Sequence, residues 1–134
     1  MTAPETTILN VQSTHYPPLL LRHPGNPILT GKDWPYSINS VFNAGATLLP
    51  DGTTLLLCRV EDRRGLSHLC AARSRNGVDG WQIDSEPTLM PSSREYPEEI
   101  WGIEDPRITS CPNCNNTWSL TLLTRVAAPE YLWH

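Results

Sequence analysis

The side chains around which the chain is organised lie between Trp101 and Thr109, in the run Trp-Gly-Ile-Glu-Asp-Pro-Arg-Ile-Thr. Two adjacent acids, Glu104 and Asp105, stand before a proline and an arginine at the start of a short β-branched stretch. Pro106 disfavours the α region for the residue before it, so Asp105 is predicted in an extended segment or a turn. Neighbouring residues of an extended chain point to opposite faces, so one acid of the pair, taken as Asp105, faces a given pocket. A carboxyl group facing a pocket is a proton-transfer group. The competing reading is a strand-initiating turn, with Asp105 bonded to backbone and Arg107 paired with a nearby acid.

Other stretches offer groups suited to a hydroxyl-rich ligand. Asn39-Ser-Val-Phe-Asn43-Ala-Gly-Ala46 sets two asparagines and a serine among small residues. An asparagine amide both donates and accepts, as a sugar hydroxyl does; the same side chains also cap turns. Asp33-Trp-Pro-Tyr36 is an aromatic loop, equally able to form a pocket wall or to plug a sheet edge. Arg59 to Gly65 is a dense charge cluster closed by glycine, the composition of a solvated loop. Cys111-Pro-Asn-Cys114 has the spacing of half a zinc site, but no second cysteine or histidine pair follows, so no metal is expected. His15 and His23 are read as surface or packing residues.

The elements that must position these groups read as strands. Pro50-Asp-Gly52 is a turn signal between two apolar β runs, so residues 44–49 and 53–60 are predicted to form a hairpin. The nearly continuous apolar run Thr53–Cys58 suits a strand covered on both faces. Ser67–Ser74 follows, then the turn signal Arg75-Asn-Gly77, then a short strand at Trp81–Ile83. Residues 87–97 read as a loop, Arg107–Ser110 as a strand, Cys111–Asn116 as its turn and Thr117–Leu123 as the return. Residues 1–24 are polar and broken by prolines, with Leu19–Leu21 expected as a short strand or a packed lid. No segment carries a sustained 3.6-residue apolar period. Short strands separated by turns point to an all-β sandwich, barrel or propeller, and Trp81 and Trp118 in similar late-strand settings favour propeller blades.

At 134 residues and 15.0 kDa the chain is the size of one domain. A net charge of -4 and a pI near 5.5 argue against general binding to nucleic acid or a membrane surface. No window reaches the apolar length needed to span a bilayer, and Met1–Asn10 lacks the pattern of a secretory signal. A cytoplasmic location, with the four cysteines reduced, is the resulting expectation.

Taken together and in order, Asn26-Pro-Ile-Leu-Thr with Asp33-Trp-Pro-Tyr, Ser40-Val-Phe-Asn-Ala-Gly-Ala, Cys58-Arg-Val-Glu-Asp-Arg-Arg-Gly, Ala72-Arg-Ser with Asn76-Gly-Val, and Gly102-Ile-Glu-Asp-Pro-Arg-Ile-Thr resemble glycoside hydrolase family 130. The nearest branch is that of the β-1,4-mannooligosaccharide phosphorylases. The resemblance implies a five-bladed β-propeller and inverting phosphorolysis of β-mannosides to α-mannose 1-phosphate. It implies Asp105 as the general acid, acting through the mannose 3-hydroxyl, with Asn43 and Arg59 holding the mannosyl unit. Phosphate is already anionic and needs no second carboxylate, unlike the water of an inverting hydrolase. It does need cations, for which Arg63 and Arg64 are the candidates, with surface ion pairing as the alternative. Inorganic phosphate is thus a co-substrate and no cofactor is expected. The partners implied are a β-mannooligosaccharide or mannosyl disaccharide, phosphate and a possible second copy of the chain.

A five-bladed ring needs roughly twice this length or more. The expectation is therefore an N-terminal extension (1–25), about the first two blades (26–120), and an atypical tail (121–134) that departs from the family pattern through a change of reading frame near Leu120. A truncated ring exposes strand edges, so the chain by itself is expected to show little or no turnover. The alternatives are a β-mannoside hydrolase, and a non-catalytic mannoside-binding or interaction fragment.

Overall fold

The computed structural model describes residues 19–110 and 118–124, and over that range the protein is all-β apart from two short 3-10 turns. Four strands, β1 (Ser40–Leu48), β2 (Thr54–Glu61), β3 (Ser67–Ser74) and β4 (Gln82–Ile83), form an antiparallel sheet in the order of the chain. A second antiparallel pair, β5 (Ile103–Ser110) and β6 (Trp118–Thr124), begins another sheet. An up-and-down four-stranded sheet with a second hairpin packed against it fits a propeller-like arrangement.

Local chemistry explains the turns. Between β1 and β2, Thr53 N–H donates to Asp51 Oδ1 at 2.9 Å, Leu49 N–H to the Thr53 carbonyl at 2.8 Å, and Gly52 takes φ +82°. Between β2 and β3, Asp62 N–H donates to the Leu66 carbonyl while Asp62 Oδ1 accepts from the backbone of Arg64 and Leu66. After β3, Asn76 Oδ1 accepts from Val78 N–H and Asp79 N–H, an aspartate-like turn that brings the chain back as β4.

Alternation along β2 sends its side chains into two cores, as its unbroken apolar sequence requires. On one face Cys58 and Val60 join Cys70, Ala72 and Trp34, with Leu56, Ala44 and Ile83 around them. On the other, Leu57 meets Leu69, Ala71 and Ile103, and this layer joins the first sheet to β5. The aromatic loop therefore acts as a plug: Trp34 is buried against β2 and β3, with Tyr36 packed beside it. Burial pushes the Cys58 thiol up to about 12, so it is an inert core group. Leu19–Leu21 form neither strand nor lid and are exposed. The tryptophan parallel also fails, because Trp81 precedes a fourth strand whereas Trp118 opens a second one. Cys111–Asn116, with its Cys-x-x-Cys spacing, lies outside the described residues.

His68 on β3 is 4% exposed and shares a 2.9 Å hydrogen bond through Nε2 with the Tyr36 hydroxyl. Burial holds its imidazole below the ordinary value of 6.5, the charge of Asp62 acting in the opposite direction. The unfolded chain therefore binds the proton more readily. Stability from this site is full above the unfolded value and is lost as pH falls through the lower folded value. The denaturation midpoint is expected to fall as the pH is lowered from about 7 through the unfolded value near 6.5 and below it, and His68→Gln to flatten that decline. An equally steep decline in the variant would place the acid sensitivity elsewhere.

Candidate active site

Sheet pairing brings the two motifs singled out in the sequence to one place. Residues Phe42 and Asn43 interrupt the β1–β2 register between Val41 and Ala44, and Asp105 and Pro106 interrupt the β5–β6 register between Glu104 and Arg107. A bulge re-aims side chains that a regular pleat would alternate. These two bulges face each other: Asn43 Nδ2 donates to Asp105 Oδ1 at 2.9 Å, across 62 residues of sequence. Asn43 is exposed and Asp105 half-buried, so the pair is open to a ligand.

The backbone reason is visible in one glycine. Gly45 is buried, and a Cβ there would stand 2.9 Å from the Pro106 carbonyl oxygen and 3.1 Å from Ile108 Cγ1. Its bare backbone lets β5 approach β1 directly. Asp105 itself takes φ +48°. Of the extended segment or turn expected from the following proline, the backbone takes the turn-like alternative within β5, the left-handed region where aspartate and asparagine are the most tolerant non-glycine residues.

This geometry corrects the placement of Glu104. The simple pleat sends it to the face opposite Asp105, yet the bulge lets both acids reach the β1–β2 pair. Glu104 Oε1 lies 2.8 Å from Arg59 Nη2, with both side chains about four-fifths buried (18% and 20% exposed). Arg59 also donates from Nε to Ser67 Oγ at 2.9 Å, and its guanidinium carbon lies 4.8 Å from the centre of the Phe42 ring. Two of its donor nitrogens are thereby engaged within the protein. Among the described residues Arg107 pairs with no acid, and its Nη1 donates to the Pro106 carbonyl at 3.2 Å.

The remaining sequence candidates divide. Asn39 Nδ2 donates to Glu61 Oε1 at 2.9 Å, a contact at the strand end. Arg64 chelates Asp62 through Nε and Nη2, at 2.9 and 2.8 Å. Burial is the largest single influence on the Asp62 carboxyl and raises it, but Arg64 and the backbone N–H groups of Leu66 and Arg64 together outweigh it and hold the carboxyl below its ordinary value. Arg63 is exposed on the same turn. That turn joins the ends of β2 and β3 where Glu61 pairs with Ser40 and Ser67 bridges to Gly102, the same end of the sheet as Asn43 and Asp105. Among the described residues no group of three His, Cys, Asp or Glu side chains could hold a metal ion, and no helix is long and apolar enough to cross a membrane.

No protein-family model and no curated protein matches the chain. Among solved structures it is similar to the crystal structure of a putative glycoside hydrolase from Parabacteroides distasonis ATCC 8503, with a TM-score of 0.60 and 26% identity. The match covers 75% of this chain and 33% of that one, so the chain spans about a third of the length of its structural neighbour. The described strands therefore form a glycoside hydrolase-like fold.

Proposed function

We propose that the chain carries the acid-bearing part of a β-mannoside-cleaving site, working by inverting phosphorolysis to α-mannose 1-phosphate. The observation that carries this reading is the Asn43–Asp105 pair, two polar side chains from facing bulges meeting at 2.9 Å in an open position. Asn43 donates to Oδ1, which leaves Oδ2 as the oxygen that carries a transferable proton. In the proposed step a phosphate oxygen attacks the anomeric carbon while the glycosidic C–O bond breaks. The leaving oxygen takes its proton from Asp105, through the 3-hydroxyl of the mannosyl ring. A single acid suffices because the nucleophile arrives already ionised. Arg63 and Arg64, at the same end of the sheet, are the cations offered to phosphate, Arg63 the freer of the two because Asp62 engages Arg64. The glycoside hydrolase-like fold supports the substrate class, and the order of motifs resembling family 130 supports mannose and phosphate.

A second reading is sugar binding without turnover, for which the open Asn43–Asp105 pair also suffices. Incubation with β-1,4-mannobiose, with and without inorganic phosphate, separates the cases. Mannose 1-phosphate formed only with phosphate is the expected product of an active site. Equal mannose release without phosphate makes the protein a hydrolase. Calorimetric binding without products supports the binding-only reading, and absence of both binding and products overturns the assignment.

A further inference from the structure

Glu104 has no place in the chemistry just described, yet its contacts close a ring around the candidate acid. Its Oε1 holds Arg59 Nη2 at 2.8 Å, and the Arg59 guanidinium lies over Phe42, its carbon 4.8 Å from the ring centre. Phe42 is the residue before Asn43, Asn43 Nδ2 bonds Asp105 at 2.9 Å, and Asp105 is the residue after Glu104. The circuit passes through backbone twice, each time at a register break. Two bulges facing each other across a sheet interface can slide or rotate independently when joined by one hydrogen bond. Joined at two successive positions, they cannot.

We propose that Glu104 is a positioning residue: through Arg59 and the Phe42 ring it sets the β1 bulge so that the Asn43 amide meets the Asp105 carboxyl. The inference rests on the reading of Asp105 as the acid, and it gives Arg59 the role of a clamp in place of a direct sugar ligand. Three features support the clamp. Arg59 is oriented from a second side by Ser67 Oγ at 2.9 Å, so its fork is fixed before any ligand arrives. Both partners of the ion pair are largely shielded from water, where a charge-assisted hydrogen bond holds its geometry well. Asp105 occupies a left-handed conformation, which persists only where surrounding structure over-determines it. Gly45 sets the distance between β1 and β5, and the Glu104–Arg59 pair sets the orientation.

The test uses the uniformly 15N-labelled full chain and its two-dimensional amide spectrum. In Glu104→Ala, the Asn43 side-chain amide and the Asp105 backbone amide are expected to shift, while the Trp34 indole and Ala72 amide in the opposite core stay in place. Glu104→Gln keeps an oxygen within reach of Arg59 and is expected to restore the Asn43 and Asp105 signals part of the way. Affinity for β-1,4-mannobiose is expected to fall about tenfold in Glu104→Ala. Unchanged Asn43 and Asp105 signals in Glu104→Ala overturn the proposal. If Trp34 and Ala72 shift as well, the variant has disturbed the whole fold, and Arg59→Lys decides. That variant keeps the charge and loses both the Ser67 bond and the flat contact with Phe42. Displacement of Asn43 and Asp105 there upholds the clamp, and its absence overturns it. Mannobiose added to the wild-type chain judges the sugar reading separately, since its failure to move Asn43 or Asp105 leaves the comparison of variants intact.

Discussion

Gly102→Ala is expected to be the most damaging single substitution in the described fold. Gly102 takes φ +97° and ψ -179°, a region that is essentially closed to residues with a side chain. Its backbone is bridged in parallel to Ser67, and a Cβ would stand 2.5 Å from the Ser67 nitrogen and 2.6 Å from its carbonyl oxygen. Both neighbours are backbone atoms of an interior strand and cannot move aside as a side-chain tip would. Backbone strain and overpacking together cost about 4 kcal/mol, a large share of the stability of a domain this size. The melting temperature should fall by roughly 10 °C or more. Gly65→Ala is the control: Gly65 has φ +83° but nothing within 4 Å of its missing Cβ, so only the conformational cost of about 1 kcal/mol applies. Equal effects at the two positions would show that the close approach to Ser67 contributes nothing. A loss of several kcal/mol at Gly102 alone would locate the junction between β3 and the start of β5 as the hinge on which the candidate site depends.

The same contrast shows how much could be read from the sequence. Turns were legible because they are local. Pro50-Asp-Gly52 and Arg75-Asn-Gly77 encode their hydrogen bonds within a few residues, and both appear where those residues predict. The two-sided burial of β2 was legible from an apolar run without alternation. The site was legible only in part. Asn43, Arg59 and Asp105 were candidates by type and order of motif, but their mutual geometry depends on two bulges, and a period-two pattern assumes a regular pleat. That assumption put Glu104 on the face opposite Asp105 and left Asp105 undecided between an extended segment and a turn. A signal was nevertheless present: an isolated glycine at 45 and a proline at 106, each inside a strand, mark a close backbone approach or a bulge. Phe42, Ser67 and Gly102 gave no sign of their part in the site, because each acts through a partner from 8 to 35 residues away. The choice between a pocket wall and a plug for Trp34 likewise rested on packing against β2 and β3.

Asp105 should separate stability from function when it is replaced. Its φ of +48° costs a residue with a Cβ about 1–2 kcal/mol, least for asparagine and aspartate, whose short polar side chains bond locally. Asp105→Asn keeps that tolerance and keeps an oxygen to accept from Asn43 Nδ2, so its stability is expected within about 0.5 kcal/mol of wild type. Asp105→Ala loses both and should be less stable by about 2 kcal/mol. Neither variant can supply a proton from a carboxyl group. Turnover of a β-mannoside, wherever the wild-type site is complete enough to show it, is expected to fall about 10²–10⁴-fold in both. Chemical denaturation and product release measured on the same samples give the two scales. If turnover followed stability, with Asp105→Asn as active as wild type and only Asp105→Ala impaired, Asp105 would be a turn residue and the acid would have to be sought elsewhere. Loss of turnover in a fully folded Asp105→Asn requires the carboxyl itself. It would also explain why an acid, and not the glycine that this backbone conformation favours, occupies the position.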